Sequence, residues 1–342
     1  MKTHFTTRLL TSGAELGNLI TEWGELCRLC PDATPFQTPE WLLPWVEVFA
    51  PEKVRALEVR CDRHLVGLAP LLIYGRGDDL VLAFMGGGVS DYLNVLIAPQ
   101  YRDETVSVLF EAISNLTGWT VLDLTDLPSH SVLQQTSLTG IATPHDNCSA
   151  LSLPTTKEEL VHLLSKRQRA NLRNAHSRLK RAGGGQVEFA TAETLQDFLN
   201  DLFRLHASRW SRSGEPGVLA DEQTRAFHCR SAPNLLAKGA LRLSRLRIKD
   251  DTVAVLYSLI GGLTLFCYMQ GYDPDFAALS PGTQLMFSAM ESAVSSGISR
   301  FDFLRGEEAY KRHWHAQNES TYRIQSLRSD LGFVNLLQST AA

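Results

Sequence analysis

The sequence predicts a mixed α/β fold made of two units with the same order of elements. Stretches that alternate between apolar and polar residues, typical of strands, are interleaved with stretches whose apolar residues recur every three or four positions, typical of helices. The order strand, two helices, three strands, helix, strand, helix, strand occurs in each half of the chain. An antiparallel meander followed by alternating helices and strands requires a mixed sheet with helices on both faces.

The first half is divided by clear turn and capping residues. Thr38 and Pro39 are typical of the N-cap and first turn of a helix, and residues 86–88 are three glycines that interrupt the pattern after a strand. The predicted strands are 3–10, 54–61, 64–74, 80–85, 119–124 and 148–153, with a further extended stretch at 93–97. The predicted helices are 14–29, 39–49, 101–116 and 129–138.

A basic helix predicted at 156–182 precedes the second half, where the pattern starts again. The predicted strands are 186–190, 241–249, 252–260, 263–271, 299–304 and 320–328. The predicted helices are 192–212, 221–238, 282–297 and 307–314. We therefore expect two domains, 1–154 and 155–342, with the basic helix as a linker at the start of the second.

The bulk composition excludes several classes of protein. The chain has 342 residues, 44% of them hydrophobic, and its net charge of −4 gives no general attraction to DNA or to an anionic membrane. No signal peptide and no apolar run of about 18 residues is present, so we expect a cytoplasmic protein with no membrane span. Cys27 and Cys30 form one C-x-x-C without a second pair, so we expect reduced cysteines and no metal.

A short segment in the second half predicts an anion-binding helix start. Ser280 caps a helix that begins at Pro281, and Gly282 would let a ligand approach the free N–H groups of the first turn, including that of Thr283. The N-terminus of a helix suits an anion such as a pyrophosphate. The same residues also serve simply to start a helix.

The segment from 301 to 314 carries the residue types that acyl transfer needs. We expect Tyr310 to protonate a leaving group and Lys311 to hold an oxyanion or a phosphate. Asp302, Glu307 or His313 could accept the amine proton, and the sequence does not choose among them. A solvated charged helix with one buried aromatic side chain is the alternative interpretation.

Two helices carry candidate ligand contacts. The basic helix has seven Lys and Arg residues and no acid over 165–181, and Lys166, Arg169 and Arg173 share one face that could bind phosphates. A solvated face, with Leu172 turned inward, is the alternative. On the helix over 192–212, Arg209 is the expected ligand contact, whereas a neighbouring tryptophan is more often a core residue.

These segments resemble one known family. In the second half the resemblance lies in Lys166 to Arg173, Leu205-His206-x-x-Arg209-Trp210, Tyr268-Met-Gln270-Gly-Tyr-Asp-Pro, Ser280-Pro-Gly, and Asp302-Phe-Leu-Arg305-Gly through Tyr310-Lys311. In the first half it lies in Phe36 to Trp41, Ala69-Pro70-Leu71 and Ser90-Asp91-Tyr92. It is a resemblance to the CelD-like acetyltransferases of cellulose biosynthesis, distant relatives of the Fem peptidyltransferases.

The resemblance implies two tandem GNAT-like domains, the first degenerate and on the acceptor side, the second catalytic. It implies transfer of an acyl group from acyl-CoA to an amine, such as an amino sugar of envelope or exopolysaccharide synthesis. The resemblance carries a catalytic role over to Lys311, beside the candidates Tyr310 and Asp302 named above, and we expect the donor at Ser280, Gly282, Thr283 and Arg305. The implied substrate-binding residues are Asp91, Tyr92, Lys166, Arg169, Arg173, Arg209, Tyr268 and Gln270.

Two other functions stay open. The segment at Ser280 has a single glycine where an ordinary GNAT pyrophosphate loop has more, so a Fem-like aminoacyltransferase that uses aminoacyl-tRNA is an alternative. The basic helix favours a tRNA donor, whereas the acidic balance of the whole chain weighs against it. A catalytically silent binding protein is the third possibility, against which the joint presence of Asp302, Tyr310 and Lys311 argues.

Overall fold

A computed structural model shows a mixed α/β protein that divides into two compact units. It describes residues 4–135, 141–211, 214, 216–306 and 308–330. Unit 1 comprises residues 1–146 and 320–342, and unit 2 comprises residues 147–319. The chain therefore returns to unit 1 at its end, whereas the domains expected from the sequence, 1–154 and 155–342, are contiguous segments whose roles stay predictions.

Unit 1 contains two sheets. The order of the first is β1-β2-β3-β6, and that of the second is β4-β5-β7-β14. The strands are β1 (Phe5–Leu10), β2 (Ala56–Cys61), β3 (His64–Ala69), β4 (Leu71–Arg76), β5 (Asp79–Phe84), β6 (Leu96–Ile97) and β7 (Val121–Leu127). Two more strands begin in one unit and end in the other: β8 (Ala142–Ser152) and β14 (Gln317–Leu327).

The helices of unit 1 pack a core rich in tryptophan. They are α1 (Gly13–Gly17), α2 (Ile20–Leu29), α3 (Pro39–Phe49) and α4 (Arg102–Asn115). Trp23 of α2 and Trp41 of α3 are fully buried. Each indole finds an acceptor, since Trp23 Nε1 donates to the carbonyl of Gln37 at 2.9 Å and Trp41 Nε1 to Ser90 Oγ at 2.9 Å. These bonds remove the cost of burying an indole N–H.

Unit 2 is built on one mixed sheet of order β8-β13-β12-β11-β10-β9. Its own strands are β9 (Gln186–Phe189), β10 (Leu241–Ile248), β11 (Asp251–Gly261), β12 (Thr264–Tyr272) and β13 (Arg300–Arg305). The pairing of β12 with β13 is parallel, and the neighbouring pairings are antiparallel. The helices are α5 (Lys157–Leu163), α6 (Lys166–Arg181), α7 (Leu195–Ser211), α8 (Glu222–Ala237), α9 (Pro281–Ser295) and α10 (Ala309–His313).

Most of the predicted elements are present, and local chemistry explains where the structure subdivides them. The basic helix predicted at 156–182 is two helices, because the Ser165 hydroxyl accepts from the N–H of Gln168 while the Gln168 side chain accepts from the N–H of Ser165, and this capping box starts α6. The strand predicted at 64–74 is β3 and β4, separated at Pro70, which lacks the N–H that a ladder needs.

No helix within the described residues is both long and apolar enough to span a membrane. The six cysteines are free thiols. Burial raises the pKa of Cys27 and raises that of Cys30 to about 11, so both thiols hold their protons at neutral pH.

Candidate functional site

The parallel strands β12 and β13 pair over only part of their length. The pairing joins residues 264–266 to 300–302, although β12 continues to Tyr272 and β13 to Arg305. Tyr268 is the extra residue of a bulge in β12, since Met269 lies opposite Tyr257 and Cys267 opposite Ser258. Leu304 of β13 has a φ of 60° and interrupts its own strand in the same way. The two strands thus diverge toward their C-terminal ends.

Two cavities of unit 2 lie between the start of α9 and the segment around α10, and they share four lining residues. One encloses about 600 Å³ and the other about 330 Å³. The shared residues are Ser280, Thr283, Tyr310 and Trp314. The larger cavity is also lined by Ser165, Arg167, Gln168, Asn171, Leu172, Ala175, Arg312, His313 and His315. The smaller is also lined by Arg209, Gln270, Tyr272, Ala277, Pro281, Gly282 and Met286.

The N-terminus of α9 opens onto these cavities. Ser280 has φ 51° and ψ 49°, and its hydroxyl caps none of the N–H groups of the helix. Pro281 has no N–H, so Gly282 and Thr283 carry the first free donors of the helix. A Cβ on Gly282 would meet only Gln270 Oε1 and Tyr272 Cδ1, both at 3.7 Å, so packing does not require glycine here. The arrangement fits an anionic group at the helix terminus.

Tyr310 lines both cavities and packs against one neighbouring ring. Its ring meets that of Phe303 edge to face, with centroids 6.3 Å apart. Burial, with a smaller effect of nearby negative groups, raises the pKa of the Tyr310 phenol well above its usual range. The phenol therefore stays protonated at neutral pH and can donate a hydrogen bond to a group in either cavity.

Lys311 lies behind Tyr310 and does not line either cavity. Its ammonium donates to the carbonyl oxygens of Leu304, Arg305 and Gly306 at 3.0, 2.7 and 3.0 Å. Glu308 forms an ion pair with it at 2.9 Å, and Lys311 is only 2% exposed. Because an ammonium has three protons, these carbonyls occupy all of its donors. The oxyanion contact expected from the sequence would require Lys311 to release one of them.

Asp302 is also engaged with its own strand rather than with a cavity. It is 1% exposed, and its Oδ1 accepts from the N–H of Leu304 at 2.8 Å. Its Oδ2 accepts from Arg300 at 3.1 Å, and Arg300 also pairs with Glu319 at 2.9 Å. The structure therefore places Asp302 apart from the cavity that Tyr310 lines. Both oxygens of the carboxylate therefore accept from residues of its own strand.

Arg209 and Gln270 lie together in the smaller cavity. The Arg209 guanidinium donates to the Gln270 carbonyl at 3.4 Å and lies 6.0 Å from the centre of the Tyr272 ring. No carboxylate of the described residues pairs with Arg209. Tyr268 instead packs against Tyr257 and lies outside the cavities, with ring centroids 5.7 Å apart.

On α6 the face that meets the cavity differs from the predicted basic face. Gln168, Asn171 and Ala175 line the larger cavity together with Arg167, at helical spacings of three and four. Lys166, Arg169 and Arg173 do not line it. The apolar stripe through Leu172 and Ala175 could have revealed the inner face, because apolar residues of a surface helix point toward the core.

The remaining predicted residues are dispersed. Arg305 ends β13 and lines neither cavity, while its carbonyl accepts from Lys311. Asp91 and Tyr92 are buried in unit 1, at 9% and 8% exposure. His313 lines the larger cavity, and Glu307 lies outside the described residues.

The lining residues that sequence reasoning did not propose for the site include Trp314, His315, Arg312 and Gln168. Trp314 had the clearest signal, as the only tryptophan after residue 210. It is 6% exposed and stacks on Phe287, with centroids 6.2 Å apart. It thus forms an apolar wall for both cavities.

Comparison with known protein families finds a match in the second half of the chain. Residues 166–312 match the model of a family described as an acetyltransferase (GNAT) domain. That range contains α6, the divergent strands and the start of α9. No curated protein matches the chain.

Solved structures similar to the chain extend the likeness to its whole length. The crystal structure of FemX is 13% identical with a TM-score of 0.68, and the match covers 96% of this chain and 98% of that chain. A conserved protein of unknown function from Bacteroides thetaiotaomicron is 13% identical with a TM-score of 0.59, and covers 94% and 99%. The C-terminal domain of a putative lysylphosphatidylglycerol synthetase from Agrobacterium fabrum is 11% identical with a TM-score of 0.57, and covers 93% of each. The predicted mixed α/β fold class is confirmed, and the GNAT domain match lies in its second half.

Proposed function

We propose that the protein is an N-acyltransferase that moves an acyl group from an acyl-CoA thioester to an amine. The observation that carries this proposal is the uncapped N-terminus of α9, where Gly282 and Thr283 border the same space as Tyr310. Free N–H groups and the helix dipole suit the pyrophosphate of the donor. The match of residues 166–312 to a GNAT acetyltransferase domain supports the same reaction class.

The chemistry follows from the groups at the cavities. The amine nitrogen attacks the thioester carbonyl carbon, the C–S bond breaks, and the thiolate takes up a proton. Tyr310, protonated because burial raises the pKa of its phenol, donates its proton to the departing sulfur, and the proton that the amine loses returns to the phenol. Of the described candidates for the amine proton, His313 is the one that lines the cavity with Tyr310. The amino sugar acceptor that the resemblance implies stays a prediction.

A second candidate is an aminoacyl-tRNA donor, and one observation favours it. Helix α6 carries seven cationic side chains from Lys166 to Arg181, and none of them forms an ion pair with a described residue. Unpaired like charges on one helix are costly unless an anion neutralises them. A polynucleotide phosphate backbone would do so.

The test of the donor uses thermal unfolding with a matched pair of variants, Thr283→Glu and Thr283→Gln. Thr283 is exposed in the first turn of α9, and the helix dipole stabilises a carboxylate at that position. Neither variant should therefore lower the stability of the free protein. Acetyl-CoA should raise the Tm of wild type and of Thr283→Gln, by an amount that corresponds to about 2.7 kcal/mol at a hundredfold excess over Kd. In Thr283→Glu the introduced carboxylate would repel the phosphates of acetyl-CoA, so most of this rise in Tm should be lost.

Three outcomes decide between the donors. Equal stabilisation of both variants by acetyl-CoA would remove the donor phosphate from the start of α9. No stabilisation of wild type by any thioester, together with tight binding of aminoacyl-tRNA that weakens steeply with salt, would establish the second candidate. Stabilisation by acetyl-CoA that is lost only in Thr283→Glu supports the proposal.

A further inference from the structure

Unit 1 contains a cavity of its own, which the proposed acyl transfer does not use. It encloses about 180 Å³ and lies where the end of α2 meets β6. Two buried carboxamides, Gln37 and Asn94, line it, with Asp32, His130 and Arg102 among the other lining side chains. Gln37 is 2% exposed and Asn94 8%.

The orientation of the Gln37 carboxamide is fixed by its neighbours. Its Oε1 accepts from the backbone N–H of Thr34 at 2.8 Å and lies 3.2 Å from the Thr34 hydroxyl. A backbone N–H can only donate, so the oxygen must face Thr34 and the NH₂ group must face away. That NH₂ group has no acceptor among the described residues. A buried side chain therefore presents two unused donors at the wall of the cavity.

Asn94 shows the same arrangement in the segment just before β6. Its Oδ1 accepts from the N–H of Val95 at 3.0 Å and from the Ser131 hydroxyl at 2.8 Å. The Ser131 hydroxyl in turn accepts from the N–H of Leu133, which directs its own proton to Asn94. The Asn94 NH₂ group thus also faces away from these partners, and it has no acceptor among the described residues.

Charge at the cavity selects the kind of ligand. Arg102 brings a cation to the lining, and Asp32 brings a carboxylate, 3.6 Å from Nε2 of His130 at the rim. Two carboxamide NH₂ groups and a guanidinium offer donors only, which suits the oxygens of an anion. An acid at the rim suits an ammonium on the same molecule. Neither NH₂ group has an acceptor in the part of the chain that the structure describes, and the oxygens of a bound anion would supply one to each.

We propose that this cavity binds a small carboxylate of amino acid size, with the carboxylate oxygens on Gln37 Nε2 and Asn94 Nδ2. The site lies entirely in unit 1, so it is independent of the donor site of unit 2. Cys30 also lines the cavity, and its thiol proton is engaged because it donates to the Ile97 carbonyl at 3.1 Å. The site is therefore one for binding rather than for thiol chemistry.

The experiment is a ligand-detected NMR titration of the full chain with three probes: glycine, N-acetylglycine and N-acetylglycinamide. N-acetylglycine carries the carboxylate without an ammonium, and N-acetylglycinamide carries neither charge. Both carboxylates should bind, and the amide should bind at least about tenfold more weakly, because charge-assisted hydrogen bonds are roughly twice as strong as neutral ones. Tighter binding of glycine than of N-acetylglycine would assign Asp32 to the ammonium.

The variants Gln37→Glu and Asn94→Asp locate the binding. Each keeps the carbonyl-type oxygen that Thr34 or Val95 uses and replaces only the NH₂ group. Either should lose binding of N-acetylglycine, while the exposed substitution Glu52→Gln should not. If Gln37→Glu does not fold, Asn94→Asp and the wild-type probe series still decide the question.

Two results would overturn the proposal. One is equal binding of N-acetylglycine and N-acetylglycinamide, which would show that the charge is not recognised. The other is the absence of binding by any probe, or binding that Asn94→Asp leaves unchanged in a folded protein, which would make the cavity a site for water alone.

Discussion

At the scale of single residues, the turn from β13 into α10 depends on two buried charges. Leu304 has a left-handed backbone, with φ 60°, which costs a residue with a bulky side chain about 1–2 kcal/mol. The Leu304 N–H donates to the Asp302 carboxylate, and the Lys311 ammonium donates to the Leu304 carbonyl. Because Tyr310 is adjacent to Lys311, this arrangement sets where the phenol stands in the cavities. We therefore expect Asp302 and Lys311 to act as positioning residues.

The variant Lys311→Met tests this role. It keeps the aliphatic stem and removes the ammonium, which leaves three carbonyls without their donor. We expect the free energy of unfolding to fall by about 3 kcal/mol and turnover to fall with it. Chemical denaturation and steady-state kinetics measure the two, with exposed Lys238→Met as the control.

A double-mutant cycle measures whether the two residues are coupled in their effects on stability. A separate catalytic role of Lys311 would not produce such coupling. Asp302→Asn and Lys311→Met act on the same turn, so their effects on stability should be less than additive. A Lys311→Met protein as stable as wild type but without turnover would contradict the positioning role and place the ammonium at the reacting atoms.

Buried histidines predict how stability changes with pH. Burial lowers the pKa of His206 to about 4 and that of His228 to about 3, against about 6.5 in the unfolded chain. Between these values the unfolded chain binds protons that the folded chain does not, so stability falls as pH drops from about 6.5 toward 4. For His206 the loss is up to about 3 kcal/mol.

Urea denaturation over this pH range measures the loss. His206→Gln should flatten the dependence, whereas exposed His64→Gln should leave it unchanged. A wild-type free energy of unfolding that stays constant between about pH 6.5 and 4 would show that these rings are protonated in the fold.

At the scale of elements, one glycine sets the distance between α7 and β12. A Cβ on Gly271 would lie 2.6 Å from the backbone nitrogen of His206 and 2.7 Å from the carbonyl carbon of Leu205. These are backbone atoms, so the helix itself would have to move. The contact lies one helical turn before Arg209, and it thereby sets the depth at which the guanidinium enters the smaller cavity.

Gly271→Ala should therefore affect both stability and ligand binding. We expect a loss of about 1–3 kcal/mol from overpacking and a weaker response to acetyl-CoA in thermal unfolding. Gly24→Ala, in the helix α2 with no atom within 4 Å of the added Cβ, is the matched control. That control should be neutral or stabilising by up to about 1 kcal/mol. Unchanged stability of Gly271→Ala would show that α7 can shift freely.

At the scale of the whole molecule, element order could be read from the sequence because it depends on local periodicity. The strands predicted at 241–249, 252–260 and 263–271 are β10, β11 and β12 to within a residue or two. The residues of the candidate site could be proposed from the sequence only where a local signal marked them, as in the Ser-Pro-Gly start of α9 and at Tyr310. The inner face of α6 was missed because its charges were weighed above its apolar stripe.

The sequence by itself determined the mixed α/β fold, the start of α9 and most element boundaries, since caps, prolines and apolar spacing act within a few residues. Only the tertiary structure decided that Lys311 faces three carbonyls and that Gln37 and Asn94 share a cavity. Those relations join segments far apart in the chain, or depend on one left-handed residue. They arise from packing, which no local pattern encodes.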